Sequence, residues 1–193
     1  MSTTKYRGIV LAGGQSTRMG HEKAILNWNG KPLYKHIQYL LKPFCSEIYI
    51  SCNENNYDLF KDANCIVDKM EYNNNGPISG LLSCMDSCNG PWIILAVDFA
   101  NIEKDNIRTL LGAYSDKYLA TVYVNASSNI TEPLFGIYSI NAKNELLNWF
   151  KNGNSSLRLF LDSHNTNKIP FFDEKRLLSI NSPELYEEMK NKH

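Results

Sequence analysis

The chain opens on an apolar run, Gly8-Ile9-Val10-Leu11-Ala12, that stops at a glycine pair, Gly13-Gly14. Such a run reads as a buried strand, and the pair lets the backbone approach a bound group without Cβ interference. Gln15-Ser16-Thr17-Arg18-Met19-Gly20 follows, and then Lys23. Small residues here would point backbone N–H groups at phosphate oxygens, with Arg18 and Lys23 adding positive charge. A strand, a glycine turn and two cations fit a nucleoside triphosphate; they also fit a glycine-rich turn with two solvated cations. Neither common phosphate loop is present. Gly20 is followed by His21-Glu22 rather than Lys-Ser/Thr, and Gly13, Gly14 and Gly20 miss the G-x-G-x-x-G spacing.

Beyond this turn, strand and helix patterns alternate, which predicts a mainly parallel sheet covered by helices. Helical spacing of Leu33, Ile37, Leu40 and Leu41 predicts a helix over 32–42, and 47–53 reads as the next strand. A short helix at 57–61 leads to a strand ending at Asp68, and Tyr72-Asn73-Asn74-Asn75-Gly76-Pro77 is a loop by its turn chemistry. A helix over 78–88 feeds Pro91-Trp92-Ile93-Ile94-Leu95-Ala96-Val97-Asp98, the clearest buried strand. Helices at 104–114, 142–151 and 156–161 and strands at 119–124 and 134–138 follow, with a polar loop over 125–131. A short strand, Leu177-Leu178-Ser179-Ile180, precedes a last helix with Ser182 as N-cap and Pro183 at N1. No repeat, linker or low-complexity tract interrupts the pattern, so the expectation is one domain over 1–193.

Bulk properties narrow the partners. Twenty basic and 20 acidic residues give a formal net charge of +0, which argues against a broad nucleic-acid surface. No apolar run approaches the ~20 residues that cross a bilayer, and Met1-Ser2-Thr3-Thr4-Lys5 has no signal-peptide pattern. Five cysteines without a C-x-x-C pair point to reduced thiols, so the expectation is a cytoplasmic protein. Cys84 and Cys88 share a helical face, which would suit half a metal site, but their apolar surroundings favour two small core residues.

The string L-A-G-G-x-S-x-R-M-G-x-x-K resembles the signature of nucleotidyltransferases that activate sugars and cofactors. Within them the chain resembles the molybdenum cofactor guanylyltransferase (MobA-type) family. Later matches extend almost to the C-terminus: Gly76-Pro77-Ile78-Ser79-Gly80 against a G-P-L-x-G motif, Glu132-Pro133-Leu134-Phe135, and Asn181-Ser182-Pro183-Glu184 against N-T-P-E. The resemblance implies a three-layer, Rossmann-like α/β fold with a mostly parallel central sheet. It also implies Mg²⁺-dependent transfer of GMP from GTP to molybdenum-bearing molybdopterin, with release of pyrophosphate. Proteins of molybdenum insertion or molybdoenzyme maturation would be partners, and neither nucleic acid nor membrane would be. Three alternatives stand beside this: a CTP-using relative, a sugar-phosphate nucleotidyltransferase, and a non-catalytic nucleotide-binding escort.

In an open α/β sheet, ligands lie beyond the carboxyl ends of the strands, where Gly13, Gly14, Asn53, Asp68, Asp98 and Asn181 fall in this reading. Asp98 closes an apolar run, where burying a bare carboxylate is unfavourable and a divalent cation would compensate. Spacing alone leaves it equally a helix cap or a loop ion pair; the family resemblance implies the metal ligand. The same resemblance makes Leu11, Ala12, Gly13, Gly14, Arg18 and Lys23 the triphosphate-binding residues, with Lys23, Arg18 and Asp98 catalytic. It assigns base recognition to Asn53, Asp68, Gly76, Pro77 and Gly80. An Asp accepts two hydrogen bonds from the guanine N1–H and N2 amino edge, whereas cytosine offers one amino donor. Asn181 either holds metal-bound water or a phosphate, or simply caps the last helix. Arg158 is placed near the pterin phosphate. Three departures are visible: Val97-Asp98-Phe99-Ala100 stands for Cys-Asp-x-Pro, His21-Glu22 replaces a Gly- and Asp-containing spacer, and Ile78 replaces Leu.

Overall fold

The computed structural model describes residues 6–13, 22–61, 63–73, 75–180 and 182–190 of the 193. Gly14, Arg18, His21, Asn74 and Asn181 therefore lie outside the described residues. The first half contains β1 (Tyr6–Leu11), β2 (Asn27–Trp28), β3 (Lys31–Pro32), α1 (Leu33–Leu41), β4 (Cys45–Cys52), β5 (Cys65–Val67) and α2 (Pro77–Ser87). The second contains β6 (Trp92–Ala96), α3 (Lys104–Ala113), β7 (Ala120–Asn125), β8 (Thr131–Tyr138), α4 (Ala142–Lys151), α5 (Leu157–Ser163), β9 (Thr166–Phe171) and α6 (Pro183–Lys190).

Seven strands form one sheet in the order β5-β4-β1-β6-β8-β7-β9, and β2 pairs with β3 in a separate small hairpin. Pairing is parallel except where β8 meets β6 and β7, so β8 alone of the seven runs against the rest. The central strands show why the apolar runs are unbroken. Ile9, Val10, Ile93, Ile94 and Leu95 are all fully buried, as both faces of a helix-covered parallel sheet require. The fold is thus the mixed α/β architecture with a mostly parallel central sheet that the resemblance implies. No helix among the described residues is long and apolar enough to cross a membrane.

Two segments depart from the sequence reading. The short strand expected at Leu177–Ile180 does not form; the outer place in the sheet belongs to β9, parallel to β7 from Ala120↔Thr166 to Asn125↔Phe171. Its sequence, TNKIPF, lacks a clean alternation and contains Pro170, which an edge strand tolerates. Ile180 instead buries in a second apolar cluster with Trp28, Leu33, Ala100, Tyr186 and Met189. Its N–H donates to the Asp98 carbonyl at 3.1 Å, so this irregular segment braces the turn after β6. The second departure is the start of β8 at Thr131, within the expected loop. Pro133 fits because the pairing with β7 shifts register between Val122 and Tyr123.

Other details agree with the sequence. The last helix begins with Pro183, and its Leu185 N–H donates to the Ser182 hydroxyl at 3.3 Å. Cys84 and Cys88 are core residues, with the Cys88 thiol donating to the Cys84 carbonyl at 3.2 Å.

Candidate active site

The carboxyl ends of β1, β4, β5 and β6 are tied to one another by backbone hydrogen bonds. Val97 N–H donates to the Leu11 carbonyl at 3.2 Å, and Asp68 N–H to that of Cys52 at 2.9 Å. Ala12 and Gly13 both donate to the Ser51 carbonyl at 3.0 Å. The N–H groups of Ala12 and Gly13 are thus engaged along the sheet edge.

Above these strand ends lies a cleft of about 190 Å³ lined by Leu11, Ala12, Gly13, Glu22, Lys23, Pro77, Ala96, Val97, Asp98 and Leu134. The structure thereby brings together Lys23 on the glycine-turn side, Asp98 after β6 and Pro77 at the first turn of α2. Asn53, Asp68, Gly76 and Gly80 do not line this cleft. Gly76 is the N-cap of α2, at φ +73°, a conformation that favours glycine. The Asn53 side chain builds its own loop: its Oδ1 accepts from Asn56 N–H at 3.1 Å while Asn56 Oδ1 accepts from Asn53 N–H at 2.9 Å.

Gly80 and Asp68 form one unit. A Cβ at Gly80 would lie 2.1 Å from Ser51 Oγ and 3.3 Å from Asp68 Oδ1, so any larger residue there must push the Ser51 hydroxyl from its place. The Ser51 hydroxyl points at Asp68 Oδ1 across 3.5 Å. We expect Gly80→Ala to lower stability by about 1–3 kcal/mol, as an overpacked core does, and to displace Ser51 against Asp68. Chemical denaturation measures the first effect; nucleotide affinity measures the second.

The carboxylates around the site are held above their ordinary range. Burial raises the Asp98 carboxyl, and the Lys23 charge and the residue's own backbone N–H offset part of that. Burial also raises Glu22 and Glu132, the latter being further raised by Asp98 and lowered by Arg158. Asp68 is pushed up to about 6 by burial, against a hydrogen bond from Ser51. Glu22 lines the cleft, and Glu132 lies close enough to Asp98 for the two charges to oppose each other. Sequence reasoning took Glu22 as a substituted spacer and placed Glu132 only within a segment resembling the one near the acceptor substrate; its approach to Asp98 comes through the reversed strand β8. Arg158 sits on the same side, with its Nε donating to the Thr131 carbonyl at 3.0 Å.

No group of three or more His, Cys, Asp and Glu side chains among the described residues could hold a metal alone. Asp98 nonetheless suits Mg²⁺. It offers a hard oxygen donor in a partly desolvated position, and Mg²⁺ takes one or two carboxylates while keeping water and phosphate oxygens as its other ligands. Electrostatically, the cleft sets the Asp98 and Glu22 carboxylates, both raised by burial, beside the Lys23 charge that offsets part of that.

Residues 8–168 match the family model described as the MobA-like NTP transferase domain. A molybdenum cofactor guanylyltransferase from Yersinia pestis is 29% identical over 180 residues, covering 91% of this chain and 90% of that protein. A molybdenum cofactor biosynthesis bifunctional protein from Synechocystis is 33% identical over 142 residues, covering 72% of this chain; the match spans 40% of that longer protein. Among solved structures, the molybdopterin-guanine dinucleotide biosynthesis protein A of Archaeoglobus fulgidus superposes with a TM-score of 0.74. It shares 21% identity, covering 96% of this chain and 97% of that one, a likeness of fold.

Proposed function

The chain belongs to the family of MobA-like NTP transferase domains, and from that premise we propose that it transfers GMP from GTP to the phosphate of molybdenum-bearing molybdopterin, releasing pyrophosphate. The observation that carries this reading is the pairing, along one sheet edge, of the Lys23–Asp98 cleft with the half-buried carboxylate of Asp68 beside Gly80. The first suits phosphates; the second suits the two-donor edge of guanine. The guanylyltransferase named among the relatives supports the same nucleotide. The whole chain, 1–193, would act as one domain.

In this reaction an acceptor phosphate oxygen forms a bond to the α-phosphorus while the α–β bridging bond breaks, and pyrophosphate leaves with the electron pair. Both reactants are anions, so the protein must align them and neutralise charge rather than abstract a proton. Lys23 would stabilise charge developing on the α-phosphate, with Arg18 assisting pyrophosphate. Asp98 would hold Mg²⁺, which supplies further neutralisation when bound. Asn181, two residues before Pro183 in the sequence, would complete the phosphate side.

The test is thermal unfolding with GTP, CTP, ATP and UTP, each with and without Mg²⁺. A ligand at 100 times its dissociation constant adds about 2.7 kcal/mol to the folded state, and only GTP is expected to do so strongly. Because Asp68 must be ionised to accept both guanine donors, GTP affinity should fall as pH drops through about 6, by about tenfold per unit below it. Asp68→Asn should remove that dependence and thereby separate it from titration of the triphosphate. A CTP-selective shift would overturn the guanylyl reading, and no shift with any nucleotide would overturn nucleotide transfer itself.

A further inference from the structure

We propose that Asp86 is a positioning residue for base recognition, fastening the loop between Asp68 and Gly76-Pro77 onto helices α2 and α4 and thereby setting nucleotide selectivity. The inference rests on the reading of Asp68 and the Gly76-Pro77 turn as the wall that meets the base. That wall has two parts, one at the end of β5 and one at the start of α2, and a single loop joins them.

Within the loop the bonds reach across only a few residues, the Asn75 Nδ2 donating to the Tyr72 and Asn73 carbonyls at 3.1 and 2.8 Å. Its short backbone turns, Tyr72 N–H to Lys69 carbonyl at 2.9 Å and Asn73 N–H to Met70 carbonyl at 3.3 Å, are local. The Met70 side chain is 87% exposed. Its position is imposed by one face of α2, on which Ser79, Ser83 and Asp86 follow one another at helical spacing. Asp86 Oδ2 accepts from Lys69 Nζ at 2.6 Å and from the Tyr72 hydroxyl at 2.9 Å, while Oδ1 accepts from Lys143 Nζ on α4 at 3.0 Å. Ser83 Oγ accepts Lys69 N–H at 2.8 Å, and Ser79 Oγ donates to the Tyr72 carbonyl and accepts Asn75 N–H at 3.1 Å.

Asp86 is the centre of this arrangement because three donors from two separate elements end on its one carboxylate. Its side chain is only 17% exposed. Burial raises the group, but the hydrogen bonds from Lys69, Lys143 and Tyr72 prevail and hold it down at about 2, so it stays charged throughout the physiological range. The Tyr72 ring, buried edge-on against Phe150 of α4 at 5.6 Å, supplies the apolar half of the anchor. Residue 69 immediately follows Asp68, so a shift of Lys69 reaches the base-reading carboxylate through a single peptide unit.

The experiment measures KM for GTP and CTP, kcat, and thermal stability for Asp86→Asn, which keeps the volume and removes the charge. GTP KM is expected to rise about tenfold and GTP-over-CTP selectivity to fall by a similar factor, with kcat within about twofold. Tyr72→Phe, which deletes one hydroxyl from an otherwise intact ring, should move the same quantities about threefold. It keeps the test open should the first variant fold poorly. A lowered melting temperature with unchanged selectivity in both variants would make the anchor merely structural and overturn the proposal. Asp68→Asn, run in parallel, separates the two levels. If it abolishes the GTP preference while the Asp86 and Tyr72 variants retain it, only the anchor fails; if it leaves the preference intact, the base-wall reading and the anchor fall together.

Discussion

Asp98→Asn is expected to lower turnover about 10³-fold while leaving the protein at least as stable as before. The two effects come from the same cause. Asp98 stands where the buried strand β6 opens into the cleft, and burial holds its carboxyl above the ordinary range even with Lys23 nearby. A carboxylate that burial disfavours weakens the fold at neutral pH, because its charged form is less stable in the native state than in the unfolded chain. The isosteric amide removes that penalty and keeps the shape. What it loses is the anionic oxygen that a divalent cation needs when the triphosphate brings the remaining ligands. A 10³-fold loss corresponds to about 4 kcal/mol of transition-state stabilisation, the scale seen when a site loses a main electrostatic partner. Pyrophosphate release and differential scanning calorimetry on the same preparations check the pair. Full turnover in the variant would remove Asp98 from the chemistry; lost turnover with a large drop in melting temperature would assign it to the fold instead.

How much of this was legible in the sequence follows from what each signal encodes. The buried runs of β1 and β6 were legible because a strand covered on both faces must be apolar throughout, and α1 because its apolar face repeats at helical spacing. The reversal of β8 was not. An apolar run states that a strand is buried and says nothing of its direction, and that direction brings Glu132 to the Asp98 side. The outer strand β9 was hidden because an edge strand need bury little, whereas Leu177–Ile180 looked like a strand because its apolar residues serve other ends: Leu177 packs into the main core and Ile180 into the cluster with Trp28 and Tyr186. At the site, Lys23 and Asp98 could be named from a strand end and a motif. The Ser51–Gly80 contact could not, because it joins positions on different elements that only the packing of α2 on the sheet brings together. Asp86 lay further out of reach: its partners come from a loop and from α4, more than 50 residues later in the case of Lys143.

Asp68→Asn is expected to exchange one purine for another rather than simply to weaken binding. Guanine presents two donors along this edge, the N1–H and the N2 amino group, and an ionised carboxylate presents two acceptors. Asparagine keeps one acceptor and replaces the other with an NH₂ donor, which then faces the N2 amino group of guanine donor to donor. Losing a charge-assisted pair and leaving a polar group unpaired in a half-buried position should lower GTP affinity about 10²-fold. Xanthine carries a carbonyl where guanine carries the amino group, so its N1–H and O2 complement the new amide, and XTP should bind the variant better than GTP does. ITP, with hydrogen in place of the amino group, divides the two contacts in the unaltered protein, where losing one of them should weaken binding about tenfold. Because asparagine does not titrate, the part of the pH dependence of GTP affinity that follows the Asp68 charge near pH 6 should vanish in the variant, leaving only the titration of the nucleotide itself. Titration calorimetry with the three nucleotides against both proteins decides the matter. An unchanged order of GTP over XTP in the variant would place base recognition elsewhere on the sheet edge. Inversion of that order would assign it to this one carboxylate, since no effect on folding or on the phosphate side could favour one purine over another that differs only at position 2.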